Sequence, residues 1–341
     1  MKALLLTEVN HFEYTEVPAP SAGIGEVLIR VEAVGICGSD VHGMTGATGR
    51  RIPPIVMGHE AAGVVVKTGS RVLGFVVGDR VTFDSTVYCN ACEYCRSGQI
   101  NLCSSRRVLG VSCAEYRQHG AMAELVAVPQ HILYRLPDQV SFEEAAMIEP
   151  VSIAFHAVRR ARIFLGEGVA VFGCGIIGLL IIRAARLAGC GKVYAVDVNP
   201  SRLEAAREMG ADALIDSSRE DPVKLIRADG EGVEAGFEAV GITATVKAAT
   251  ESVRKGGRLV LVGNISPEVT LGLQSVVTRE IDLLGSCASS GEYTAILEAL
   301  AAGRLKLDRL ISARAPLSEG AEWFRRLAAS EGSLLKVILK P

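Results

Sequence analysis

Residues 169–178 read VAVFGCGIIG, and no other stretch constrains the fold as tightly. Four apolar residues suited to a buried strand run into Gly173, Gly175 and Gly178 in the spacing GxGxxG, and an apolar run of helical period opens at Ile176 and Ile177. Nineteen positions after the last glycine, Asp197 closes a second strand-like run, KVYAVD. In this context Gly173 permits a tight turn, Gly175 lets the backbone approach a pyrophosphate, and Gly178 lets helix and strand pack closely. The helix N-terminus then faces the phosphates, and Asp197 accepts from the ribose 2′-hydroxyl of an adenosine. A 2′-phosphate would meet its charge, so NAD is the expected cofactor rather than NADP. The plainer alternative is a glycine-rich turn in a buried sheet that binds nothing.

The neighbouring sequence extends the pattern. SRLEAAREMGAD reads as a helix and ALID, VEAGFEAV, GRLVLVGN and IDLLGSC as strands, an alternation that implies parallel βαβ units. The first 140 residues differ: short runs such as VLIRVEAVGI and AAGVVVKTG, broken by Gly, Pro and Asp, predict an irregular all-β domain. Beyond residue 292 two helical stretches, YTAILEALAAG and GAEWFRRLAAS, precede a strand-like LLKVILK. At 341 residues the chain exceeds what one core usually supports, so two domains are expected.

A net charge of −2 provides no basic field for nucleic acid and points to a small-molecule partner. Mean hydropathy is positive, yet the longest uncharged run, residues 168–182, has 15 residues and four glycines, fewer than the roughly 18 needed to span a bilayer. MKALLLTEVNH carries too short an apolar run for a secretory leader. No membrane association and a cytoplasmic location are the expectations, and there nine unevenly spaced cysteines read as metal ligands rather than disulfides.

Cys89, Cys92, Cys95 and Cys103 are separated by two, two and seven residues. Such a loop can bring four thiolates to one tetrahedral zinc, and with no open position the site would be structural; an iron–sulfur cluster is the chemical rival. Cys37 and the pair His59-Glu60 are of the types that could make a second, dispersed ligand set leaving zinc a position for water or substrate, but composition alone does not join them, and a lone His or Cys in an apolar context is more often core. Glu149 interrupts the apolar run AAMIEPVSIAFHAV. An unpaired charge is costly to bury, so it must be exposed, ion-paired (Arg159 is near in sequence) or metal-bound.

Gly58-His59-Glu60-x2-Gly63-x5-Gly69-x2-Val72, the four-cysteine segment after it and the fingerprint at 173–178 together resemble the zinc-dependent medium-chain dehydrogenase/reductases, in their sorbitol (polyol) dehydrogenase branch. The resemblance covers essentially the whole chain. It implies an α/β fold: a GroES-like catalytic domain at 1–149 with two zinc sites, a Rossmann NAD-binding domain of doubly wound parallel sheet at 150–287, and a tail at 288–341 that returns to the first domain. By resemblance Cys37 and His59 are ligands of a catalytic zinc and Glu60 is a third or alternating one. Primary-alcohol enzymes place a cysteine near position 149, whereas the polyol branch has Glu-Pro, whose glutamate reaches the zinc directly or through water. Ser39 and His42 resemble the family's proton relay, Arg202 a residue flanking the adenosine, and Val262, Gly263 and Asn264 a backbone segment at the nicotinamide.

The implied reaction is the zinc- and NAD-dependent interconversion of a secondary alcohol of a polyol or sugar alcohol, phosphorylated or not, with its ketone, in a homodimer or homotetramer. The rivals are 2,3-butanediol and L-threonine dehydrogenases, and a catalytically silent NAD- and zinc-binding protein. Threonine enzymes carry Asp-Pro-Phe-Gly-Asn where this chain has Glu-Pro-Val-Ser-Ile. Sorbitol itself is disfavoured, because Gly43 and Ser286-Cys287-Ala288 replace an aromatic and an Arg-containing segment of sorbitol enzymes. Arg50 and Arg51 could hold a substrate phosphate or be a solvated pair, and His119 could line the cleft or lie on the surface.

Overall fold

The structure, a computed structural model, describes residues 1–228 and 230–341. It divides into two compact units, one of Met1–Glu149 with Ser290–Pro341 and the other of Pro150–Ser289.

The first unit is built on a seven-stranded sheet. Its central strand, Glu26–Gly35, opens on the apolar run Val27-Leu28-Ile29 and is buried except at Glu26, Arg30 and Glu32. Glu60–Thr68, Leu125–Pro129 and Lys336–Lys340 all pair with it antiparallel. In this register Gly35 faces Glu60 on one side and Ile338 on the other. A methyl group at Gly35 would come 2.3 Å from Glu60 Oε2, so only glycine leaves room for that carboxylate. Leu4, Leu6, Val34, Met57, Phe83 and Met122 belong to the core beneath, each apolar side chain of this size contributing roughly 1.5–3 kcal/mol by its burial.

Residues after 290 complete this unit. Tyr293–Ala301 and Gly320–Ala328 are helices, and Lys336–Lys340 joins the main sheet. The strand Ile311–Pro316, parallel to Lys336–Lys340, was not expected from sequence: ISARAP lies at the sheet edge, with half its side chains exposed and a proline at its end.

The second unit holds six strands, all parallel, in the order Ala213–Asp216, Val193–Asp197, Val169–Phe172, Val233–Glu238, Val253–Leu261, Asp282–Gly285. The chain starts in the middle, at Val169–Phe172, winds outwards to one edge and then to the other, which is the doubly wound arrangement. All four residues of Val169–Phe172 are buried, as expected of a strand covered on both faces. The helix Pro200–Met209 starts at a side-chain cap from Asn199 and stops at Gly210 in the left-handed region. A helix at Thr243–Ser252 escaped the sequence reading because threonine and serine are weak helix formers. Among the described residues, no helix is long and apolar enough to cross a membrane.

Candidate functional site

The segment 89–103 folds into a short loop bearing the helix Glu93–Arg96 and a single 3-10 turn, Ile100–Leu102. The four sulfurs lie within 4.8 Å of one another, with Cys92 and Cys95 at 3.5 Å and Cys89 and Cys95 at 3.9 Å. Tetrahedral zinc with bonds of about 2.3 Å sets sulfur–sulfur edges of about 3.8 Å, so the loop is already shaped for the ion. Backbone N–H groups of Ala91 and Cys92 point at Cys89 Sγ, and those of Cys89 and Ser105 at Cys103 Sγ. N–H groups of Cys95 and Ser104 bring the Cys92 thiol down to about 6, whereas burial and the neighbouring thiols push Cys95 up to about 12. Four crowded thiols cannot all ionise unaided; a divalent cation removes that conflict.

In the same unit the donor atoms of Cys37, His59 and Glu60 also lie within 4.8 Å of one another. Cys37 caps the helix Gly38–Met44, and Ser39 contributes its backbone N–H and its hydroxyl to Cys37 Sγ at 3.4 and 3.3 Å. Asp40 is fully buried: Arg51 donates to Oδ1 through Nε and Nη2, and Oδ2 lies 3.4 Å from His59 Nδ1. With Nδ1 turned to that carboxylate, Nε2 is left for a ligand. Burial opposes the ionised form of Asp40, but His59 and Arg51 outweigh it and hold the carboxyl well below the usual range.

Glu60 Oε2 is taken by Lys336 at 2.6 Å, while Glu60 Oε1 is buried without a hydrogen-bond partner among the described residues. A metal ion beside Cys37 and His59 suits that oxygen. Glu149 is buried too, but outside the convergent set of three; Ser85 Oγ donates to its Oε1 at 3.1 Å. Burial pushes its carboxyl up to about 7, with His59 opposing and Glu60 and Asp84 adding to the rise.

Ser39 and His42 are exposed on the helix Gly38–Met44, three positions apart and so on neighbouring turns. His119 lies exposed, the second of the two expected placements, with its Nδ1 accepting from the Val56 backbone N–H at 3.2 Å. Arg51 is not a loop cation: it is 5% exposed and engaged with Asp40. Asp40, Lys336 and Ser85 are the site residues that sequence reasoning missed, and Arg51, expected on a substrate phosphate or in a solvated loop, instead supports Asp40. The usable signals were a lysine inside the apolar strand LLKVILK and an acid inside the Cys37–His42 segment.

In the second unit the turn after Val169–Phe172 gives each glycine its own steric reason. Gly173 has φ +92°. A methyl at Gly178 would fall 1.8 Å from the Gly173 carbonyl oxygen, whereas one at Gly175 would meet nothing within 4 Å, leaving that backbone open to a ligand. The helix Ile176–Leu187 begins there, with its N-terminal amides free of any side-chain cap. Asp197 ends the adjacent strand; its Oδ2 accepts from Cys174 N–H at 2.7 Å and its Oδ1 from Asn199 N–H at 2.9 Å. Arg202 lies one turn into the next helix. Val262, Gly263 and Asn264 follow the strand Val253–Leu261 at the same carboxyl end of the sheet, with the Val262 and Gly263 N–H groups bonded to Glu238 O. In doubly wound sheets that end is where ligands bind.

A closed four-thiolate site, an open Cys-His-Glu set and a dinucleotide turn in one chain define a metal-dependent dehydrogenase. Residues 23–138 match the model of the alcohol dehydrogenase GroES-like domain and residues 177–302 that of the zinc-binding dehydrogenase. The chain is 35% identical to a sorbitol dehydrogenase of Bacillus subtilis (strain 168), covering 100% of this chain and 97% of that one. It is 34% identical to a D-arabitol-phosphate dehydrogenase of Enterococcus avium, over 97% and 94%. The solved alcohol dehydrogenase TADH from Thermus sp. ATN1 superposes with a TM-score of 0.94 at 33% identity, over 100% and 99%. The chain belongs to the zinc-dependent medium-chain dehydrogenase/reductases, in the sorbitol dehydrogenase-like branch. It is an oxidoreductase that uses zinc and a nicotinamide dinucleotide.

Proposed function

We propose that the chain oxidises a secondary alcohol of a polyol or sugar alcohol to the ketone, with NAD as hydride acceptor, and runs the reverse reduction. The observation that carries this is the set Cys37, His59 and Glu60, in which three donor atoms converge within 4.8 Å. Three protein donors leave tetrahedral zinc one position for substrate, unlike the four-cysteine loop. Relatives named for polyols or their phosphates support that substrate class.

Cys37, His59 and Glu60 would hold the catalytic zinc, with Glu149 in its outer sphere, and Cys89, Cys92, Cys95 and Cys103 the structural one. When bound, zinc supplies Lewis acidity that eases loss of the hydroxyl proton, and the nicotinamide supplies the hydride acceptor. Asp40 holds the His59 ring in its tautomer and orientation. Lys336 neutralises Glu60 and keeps one of its oxygens engaged. Ser39 and His42 pass the hydroxyl proton to solvent. Gly173, Gly175, Ile176, Ile177 and Gly178 bind the pyrophosphate through backbone groups, and Arg202 flanks the adenosine. Asp197 accepts from the ribose and repels a 2′-phosphate, and Val262, Gly263 and Asn264 line the nicotinamide side. The protein works in the cytoplasm as a homodimer or homotetramer.

The experiment is a panel of pentitols, hexitols, their terminal phosphates, 2,3-butanediol and L-threonine with NAD+, followed by absorbance of the reduced cofactor. Turnover confined to threonine or butanediol overturns the polyol reading; no turnover of any alcohol by zinc-replete protein overturns the catalytic one.

A further inference from the structure

Arg50 and Arg51 are neighbours with separate fates. Arg51 is buried on Asp40, and its Nη1 donates to Arg50 O at 3.0 Å. Arg50 is exposed, and with Arg106, Arg107, Ser104, Ser105 and Tyr116 it lines a pocket of about 500 Å³. Arg50 and Arg107 share its lining with one carboxylate, Glu115. A hydrogen bond from Cys113 and, more weakly, the charge of Arg50 hold that carboxyl below its ordinary range. Among the described residues, neither Arg50 nor Arg107 has a carboxylate within 4.0 Å.

The walls are tied in place. Tyr116 Oη accepts from Val108 N–H at 3.1 Å and from Arg50 Nη2 at 3.4 Å, so its own proton is left to donate. Arg50 O accepts from Ser112 N–H at 3.1 Å, and Ser105 N–H is fixed on Cys103 Sγ at 3.4 Å. The pocket therefore spans the four-cysteine loop on one side and, on the other, the segment whose Arg51 supports Asp40 and His59. The Arg50 and Arg107 forks, with the hydroxyls of Tyr116, Ser104 and Ser105, suit the three oxygens of a phosphate monoester.

We propose that this pocket is a phosphate subsite, filled by the terminal phosphate of a phosphorylated sugar alcohol, a deepening that rests on the polyol reading above. Free phosphate offers the same chemistry, and the test separates the two sources.

Zinc-replete wild type and the double variant R50A/R107A are titrated calorimetrically with inorganic phosphate, and KM is measured for a pentitol or hexitol and for its terminal phosphate. The expected results are phosphate binding that the double variant loses, and a KM that rises tenfold or more for the phosphate ester while that of the parent alditol stays put, as loss of charge-assisted bonds requires. R50K/R107K should recover part of the phosphate binding. Equal phosphate binding by wild type and R50A/R107A, or none by either, overturns the subsite. Binding lost in the variant with no KM advantage for the ester keeps the phosphate pocket and overturns the substrate as its occupant. If no alditol turns over, the polyol reading fails alone, because the calorimetric titration still reads the pocket.

Discussion

Lys336 Nζ lies 2.6 Å from Glu60 Oε2, in a place where both side chains are almost fully shielded from solvent, and it also donates to Ile36 O at 3.1 Å. The pair joins residues 276 positions apart, the last strand and the metal-site strand, through the central strand Glu26–Gly35 that both flank. Burial opposes the ammonium form, but Glu60 and the Cys37 sulfur outweigh it and raise the lysine above its usual range.

Removing one partner of a buried ion pair strands the other. K336M is therefore expected to lower the unfolding free energy by about 3–5 kcal/mol, read as a drop in the denaturant midpoint. K336R, which keeps the charge, should lose less. A midpoint unchanged in K336M would mean that Glu60 finds another partner.

The two donor sets should separate on metal analysis. Wild-type protein is expected to hold two zinc ions per chain and C37A about one, with far-UV circular dichroism unchanged and turnover abolished, because only the open set serves substrate. A chelator should strip the open site first. C103A should lose the other zinc and lower the thermal midpoint, since closed sites contribute folding energy.

Glu149 accepts from Ser85 inside the first unit, and glutamine can accept the same bond at nearly the same volume. E149Q is thus expected to lower kcat/KM roughly 10- to 100-fold, as loss of an outer-sphere carboxylate does. Its thermal midpoint should move by no more than about 4 °C. A larger loss of stability than of turnover would assign Glu149 a structural role.

What could be seen in the sequence was what short range decides. The turn 173–178 and the four-cysteine loop are local: sterics between residues a few positions apart dictate the glycines, and one loop brings the thiols together. Lys336 shows in the sequence only as a lysine inside an apolar strand; that its side chain meets Glu60, 276 positions away, is settled by the folding of both strands onto Glu26–Gly35. Arg50 and Arg51 look alike in sequence and differ only because a neighbouring carboxylate, Asp40, lies buried beside one of them. The edge strand Ile311–Pro316 was hidden because its partner, not its own pattern, makes it a strand.

Asp197 joins the dinucleotide turn through Cys174 N–H at 2.7 Å, so it both shapes the loop and puts a negative charge at its rim. D197S is expected to lower kcat/KM with NAD by roughly tenfold or more, the loss of a charge-assisted bond. With NADP the fall should be smaller or reversed, because the repulsion goes as well. The ratio of the two cofactors' kcat/KM is the measurement, and an unchanged ratio would remove Asp197 from cofactor selection.

Two histidines away from the metal donors make folding sensitive to acid. His119 Nδ1 accepts from Val56 N–H at 3.2 Å, and His131 Nε2 lies 3.0 Å from Tyr88 O, to which it donates. Burial lowers both below the ordinary value of 6.5; Arg117 adds to the effect at His119, and the Tyr88 bond opposes it at His131. The folded chain keeps each ring neutral to a lower pH than the unfolded chain, which takes up the proton near pH 6.5. Between the depressed folded values and 6.5 the unfolded state binds more protons, so stability rises with pH there. The contribution is complete above about pH 6.5 and is lost as the pH falls below it. Denaturant midpoints of wild type and H119Q/H131Q, measured from pH 7.5 to 5, should converge towards acid, because glutamine cannot be protonated in that range. Parallel pH profiles would show that neither imidazole is held neutral by the fold.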